Sequence, residues 1–209
     1  MNESKTISEY LTELSSSAPV PGGGNVAAFC GALASSLGIM VCNLTIGKKK
    51  YADVENEMIS IKEKLEIYKK KFLELAEQDN QAFNNVMEAM KLPKENEEQI
   101  EIRSKKIEDA TLHATEIPSE VIKNCSSILP LLKIIIDKGN KNSISDAGVA
   151  ISLIKSAAQS AYMNVLINCK SLSNQTIASE IQKSIQVIFN EVQKTTDLYL
   201  SIITSSLKS

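Results

Sequence analysis

An all-α fold, an elongated bundle of about six or seven helices, is the expectation from three features of this 209-residue chain. Valine, isoleucine and leucine recur at three- and four-residue steps, with no convincing alternation of period two. One stripe, apolar but for a single aspartate, continues at four- and three-residue steps from residue 53 to about 90. No internal repeat, low-complexity tract or linker divides the chain, so residues 1–209 read as a single domain.

Composition narrows the class. Hydrophobic residues at 43% and charged residues at 23% are ordinary for a soluble globular protein, and the length allows one sizeable core. A net charge of −2 draws the protein to no nucleic acid, and 4% aromatics without tryptophan supply no base-stacking platform. Cys30, Cys42, Cys125 and Cys169 have neither zinc nor disulfide spacing. Cys30, Cys42 and Cys169 fall in apolar helical stretches, as small core residues do, which fits a reducing compartment. The first residues are polar and acidic, unlike a signal peptide, and a cytoplasmic location is expected. The one histidine, His113, lies among charges and is expected to be exposed; with no cysteine pair, no metal site is expected.

The elements follow in order. A short helix covers 7–15. Pro19-Val20-Pro21 then stiffens the chain ahead of Gly22-Gly23-Gly24, where the helix 25–46 begins. A helix start without side chains exposes N–H groups to a ligand anion or oxygen; the same glycines equally suit close helix packing. Residues 26–46 carry no charge and are followed by Lys48-Lys49-Lys50, which by length and flank fits a membrane span. Their richness in Ala, Ser, Gly, Cys, Asn and Thr favours a buried central helix instead. The lysines suit a helix C-terminus, or a docking patch for a polyanionic tail.

The third helix, 53–90, has a seam at Val54, Met58, Ile61, Leu65, Tyr68, Phe72, Leu75, Asp79, Ala82 and Val86. Its length of roughly 55 Å favours an elongated bundle or a dimer. Leu92-Pro93 ends it. A charged helix is expected over 94–116, with Ile100, Ile107, Ala110 and Ala114 on one side. Pro118 is placed in the first turn of a separate helix, and Pro130 should kink the apolar run to Ile136. Residues 138–143 form a turn, 144–168 a helix with a seam from Ile144 to Val165, and 175–207 the last helix.

Asp79 is the sharpest candidate, a carboxylate in an otherwise apolar seam. It either fixes register or transfers protons in a cleft. Asp146 is the second carboxylate; Ser143-x-x-Asp146 also fits a capping box. Asn140 and Asn142 enrich that helix start with hydrogen-bonding groups. Asn164 and Asn168 share a helix face, where they serve either a heteroaromatic ligand or an internal polar network. No GxSxG, Walker or GxGxxG pattern is present.

The ordered set of motifs resembles the cyclodeaminase/cyclohydrolase family of folate enzymes, which includes the C-terminal domain of formiminotransferase-cyclodeaminase. The resemblance rests on Pro19-x-Pro21-Gly22-Gly23-Gly24-x-Val26-Ala27-Ala28, Met40-Val41-x-Asn43-Leu44-Thr45 and Lys48-Lys49-Lys50-Tyr51. It continues through Asp79-x-x-Ala82-Phe83, Lys91-Leu92-Pro93, Pro118, Gly139-Asn140-x-Asn142-x-x-Ser145-Asp146 and Asn164-Val165-x-x-Asn168.

The resemblance implies an all-helical homodimer acting on one-carbon derivatives of tetrahydrofolate as substrate, with no further cofactor, metal, nucleic acid or membrane. The reaction expected first is closure of 5-formiminotetrahydrofolate to 5,10-methenyltetrahydrofolate with loss of ammonia. The alternative is interconversion of 5,10-methenyltetrahydrofolate and 10-formyltetrahydrofolate with water. Asp79, ahead of Asp146, is the expected proton carrier, and either could instead pair with the pterin. Pro21, Gly22, Gly23 and Gly24 would face the substrate, Asn140, Asn142, Asn164 and Asn168 would complete its recognition, and Lys48, Lys49 and Lys50 would hold a free or polyglutamylated tail. A helical dimer that binds folate or a protein partner without turnover is the rival from another class.

Overall fold

In the computed structural model, which describes residues 5–208, local chemistry sets the helix ends. Thr6 and Glu9 form a capping box that starts α1 (Ile7–Leu14). Gly22 opens α2 (Gly23–Thr45), and Gly47 at φ 75° turns the chain away after it. A 3₁₀ turn, Lys49–Val54, leads into α3 (Glu55–Met90). Asn96 caps α4 (Glu97–Lys138) by accepting from the Gln99 N–H. A second 3₁₀ turn, Lys141–Ser143, precedes α5 (Ile144–Ser171), and α6 (Gln175–Lys208) follows. The described residues thus form six α-helices and no strand.

One core unites the five long helices, with α2 at its centre against α3, α5 and α4. Its mean hydropathy of 1.8 would suit a membrane, yet 61% of that apolar window is buried by the rest of the fold. Small residues make this possible, because they let neighbouring helices come close. The pairing of α2 with α3 has a seven-residue register. A methyl group at Gly24 would overlap the Asp79 carboxyl; one at Gly31 would meet Phe72, and one at Gly38 would meet Leu65. The two helices therefore run antiparallel. Asp79 takes the third place in a row whose other members are apolar.

The seam expected on α3 is the observed one. Met58, Ile61, Leu65, Phe72, Leu75 and Ala82 are buried, while Val54, Tyr68, Asp79 and Val86 are half-buried. Cys42, Cys125 and Cys169 are buried free thiols and Cys30 is half-buried. His113 is exposed and faces Glu116.

The separate helix beginning at Pro118 is not found. One helix, α4, runs through both Pro118 and Pro130. A continuous buried stripe, from Thr111 through Val121, Cys125 and Leu132 to Ile136, outweighs an interior proline, which costs about 3 kcal/mol. The break at Pro118 is also repaired. Its missing N–H frees the Ala114 carbonyl, and Asn168 of α5 donates its side-chain amide there at 2.8 Å.

Candidate active site at the start of α2

The register of α2 and α3 puts the Asp79 carboxyl against the first turn of α2. Gly22 offers no side chain to cap that turn. Asp79 does so from the neighbouring helix, accepting a hydrogen bond from the Asn25 backbone N–H. The helix start is therefore not an open anion site. The protein's own carboxylate stands there, and Gly24 is required because no side chain fits between them. Burial raises the Asp79 pKa from the ordinary carboxylate value to about 6, with the Asn25 N–H pulling more weakly the other way. Such a group exchanges protons near neutral pH.

Asp79 lines a cavity of about 360 Å³. Its floor is the Pro19–Gly24 turn. One wall is the last part of α3, where Phe83, Val86, Met87 and Met90 present an apolar surface. The opposite wall comes from α4 and α5, with Thr111, Ala114, Asn164, Asn168 and Ser171. Asp79 is the only ionisable side chain among these lining residues. Asn164 donates to the Ser160 carbonyl at 2.9 Å and Asn168 to Ala114. Each amide therefore keeps its oxygen and one N–H for a ligand. Larger hollows of about 470 and 560 Å³ lie between α4 and α6 and between the end of α3 and α4. Neither contains a buried carboxylate.

The expected site residues fall into two groups of six, with Pro21 apart from both. Asp79, Gly22, Gly23, Gly24, Asn164 and Asn168 meet at the cavity. Pro21 turns to its other side, beside Tyr10 and Asn25, over a hollow of about 190 Å³. Lys48, Lys49, Lys50, Asn140, Asn142 and Asp146 lie at the far end of α2, about 33 Å away at 1.5 Å per residue.

At that far end, Asn140 acts structurally. Its backbone N–H donates to the Thr45 hydroxyl at 2.9 Å and its side chain to the Leu44 carbonyl at 2.9 Å, closing the C-terminus of α2. Its own side-chain oxygen accepts from the Asn142 N–H at 3.1 Å. Ser143 makes no side-chain cap, so the capping box with Asp146 is absent. The three lysines are exposed. Asp146 and Asp79 do not form a carboxylate pair within one chain.

Two features escape a reading by residue type. Tyr10 and Asn25 are both buried, and the Tyr10 hydroxyl donates to the Asn25 side chain at 2.8 Å. The Phe83, Met87 and Met90 wall was visible only as apolar residues at helical spacing on the exposed end of α3.

The comparisons follow the same outline. A family described as Formiminotransferase-cyclodeaminase matches residues 6–187. The methenyltetrahydrofolate cyclohydrolase of Methylorubrum extorquens is 40% identical over 91% of this chain and 92% of its own length. The formimidoyltransferase-cyclodeaminase of Gallus gallus is 27% identical over 95% of this chain, which spans only 37% of that longer protein. The crystal structure of formiminotetrahydrofolate cyclodeaminase from Thermotoga maritima superposes with a TM-score of 0.81 at 31% identity, covering 97% of this chain and 98% of that one. With the family matched over most of its length and a relative alike from end to end, the chain belongs to the formiminotransferase-cyclodeaminase family of folate one-carbon enzymes.

Proposed function

We propose that the protein closes 5-formiminotetrahydrofolate to 5,10-methenyltetrahydrofolate with release of ammonia, and that Asp79 carries the proton. The observation behind this reading is a single carboxyl, raised to about 6, alone among the groups lining a slot with one apolar and one amide wall. In the reaction, N10 attacks the carbon of the protonated formimino group (C=NH2+), a C–N bond forms, and the exocyclic C–N bond breaks to release ammonia, the positive charge staying on the methenyl product. One proton must move from N10 to the departing nitrogen. A carboxyl that is partly charged at neutral pH can take it and then return it. Holding the folate bent, with N10 over the carbon, supplies much of the remaining acceleration. The amide oxygens of Asn164 and Asn168 suit the N–H edge of a pterin, and Phe83 and Met87 suit its aromatic extension.

A second reading, hydrolysis of 5,10-methenyltetrahydrofolate to the 10-formyl compound, is favoured by the 40% identity to a cyclohydrolase over nearly the full chain. There the same carboxylate would take a proton from water as its oxygen adds to the methenyl carbon; the C–N5 bond of the adduct then breaks, the hydroxyl proton passes to N5, and the formyl group stays on N10. Assaying both folates in parallel, by ammonia release and by methenyltetrahydrofolate absorbance, separates the two. Turnover of neither rejects both.

The working unit in this proposal is a cytoplasmic homodimer. The outward stripe of α2 (Leu33, Leu37, Met40, Leu44) and its neighbour on α5 (Val149, Met163, Ile167) carry no charge, and most of these side chains are well exposed. A two-fold axis across the middle of α2 would pair this face with itself and bring the far end of one chain to the cavity of the other. Lys48–Lys50 of the second copy would then hold the glutamate tail. A dimer in detergent-free sedimentation supports this arrangement; a monomer, or a chain that needs detergent, rejects it.

A further inference from the structure

Asp79 is held by one N–H, and that N–H belongs to the most heavily anchored residue of the turn. Asn25 is 2% exposed. Its side-chain nitrogen donates to the Ala76 carbonyl of α3 at 2.7 Å, about one turn before Asp79. Its side-chain oxygen accepts from the Tyr10 hydroxyl of α1 at 2.8 Å. Asn25 thus touches α3 twice, once through its side chain and once through the backbone bond to Asp79, and Tyr10 fixes it from behind. Tyr10 is itself 6% exposed and packs against Phe29, ring centroids 5.3 Å apart. The short helix α1 contributes no other buried residue. Its one inward side chain ends on the amide of the residue whose backbone N–H bonds the carboxylate.

We propose that Tyr10 is a positioning residue of the active site: by bonding Asn25 it keeps the first turn of α2 aimed at the Asp79 carboxylate and so sets that group's acidity. This deepens the reading of Asp79 as proton carrier and rests on it. Without the phenol, the Asn25 side chain loses one of its two fixed points. The N–H bond to Asp79 slackens, and the charged carboxylate loses support that the neutral acid needs less. The pKa of Asp79 should rise.

Few other groups can imitate this effect. The residues that line the cavity from α2, α4 and α5, among them Thr111, Asn164, Asn168 and Ser171, carry no charge. On the Tyr10 side, Lys5, Glu13 and Glu77 line the smaller hollow, and burial, with a lesser contribution from Cys30, holds the Tyr10 phenol above its ordinary value. Tyr10→Phe changes the charge of none of them.

The test is the pH dependence of the intact protein carrying Tyr10→Phe, which keeps the ring and its packing. Two measurements are made: the pH profile of kcat/KM, and direct titration of the Asp79 carboxyl by NMR with labelled aspartate, assigned with Asp79→Asn. The expected result is an upward shift of about half a pH unit in both, with kcat lowered about fivefold and KM little changed. Phe29→Leu, which loosens the ring contact but leaves the hydroxyl bond, should lower stability without moving either curve. Superimposable titrations of Tyr10→Phe and the unmodified protein overturn the proposal, as does an equal shift in Phe29→Leu. If the unmodified protein turns over neither folate, the functional reading fails, while the NMR titration still decides whether Tyr10 sets the acidity of Asp79.

Discussion

The two ends of α2 are built from similar materials and do different work. At its first turn a bare glycine start receives a carboxylate from α3, and a cavity opens beside it. At its last turn, Asn140 closes the helix, and three lysines are exposed. The first end has a carboxylate in a cavity lined by no positive charge; the second carries the positive charge of the lysines. A folate has a ring system that needs enclosure and a tail that needs cations; under the function proposed above, the first end would take the ring system and the lysines of the second the tail. In one chain the two ends lie about 33 Å apart. In an antiparallel pair of chains they become neighbours.

The largest expected effect comes at the cavity end. Asp79→Asn should lower turnover by at least about a hundredfold, measured by ammonia release. The same change should stabilise the fold at neutral pH. Asp79 has a raised pKa, so folding favours its protonated form, and the wild type loses stability through this group as pH rises from about 4 to about 6. The asparagine variant should therefore gain about 2 kcal/mol in denaturant unfolding at pH 7.5 and nothing at pH 3.5. A variant both inactive and less stable at pH 7.5 would mean that the carboxylate is chiefly structural.

The division between the ends is probed next. Replacing Lys48, Lys49 and Lys50 together by alanine should raise KM for a polyglutamylated folate about tenfold, with less effect on the monoglutamate. Mixing this variant with Asp79→Asn and allowing subunits to exchange should restore about a quarter of the unmutated activity, because half of each mixed dimer is then wild type. No recovery after verified exchange would place both halves of the site in one chain. Smaller still, Gly24→Ala should cost about 1–3 kcal/mol of stability and weaken activity, as the added methyl pushes on the carboxyl. Smallest is Asn168→Ala. It leaves the Ala114 carbonyl without its amide partner and should cost about 1 kcal/mol, read from thermal unfolding.

Much of this was legible in the chain. The α3 seam gave both the helix and the anomaly of Asp79 within it, because burial and periodicity are properties of one segment. The pairing of Asp79 with Gly24 was not legible, since register between helices depends on which of several apolar stripes meet. Pro118 misled for a related reason. Its local preference to begin a helix is real, but the carbonyl it frees is answered by Asn168, some fifty residues later, and no local pattern announces that partner. Asn140 and Asp146 look like Asn164 and Asp79 by residue type. Only the antiparallel run of α2 and α5 shows that they stand at the other end.

The seven-residue register of α2 on α3 also limits how this enzyme can move. Phe72 and Leu65 seat the same pair of helices that brings Asp79 to the first turn of α2, so acid and helix start form one rigid block. Substrate cannot be admitted by drawing these two apart without opening the core. Breathing must fall to the remaining borders of the slot, the Pro19–Pro21 approach and the α4–α5 wall, and slow exchange of amide protons along α2 and α3 should outlast that of both.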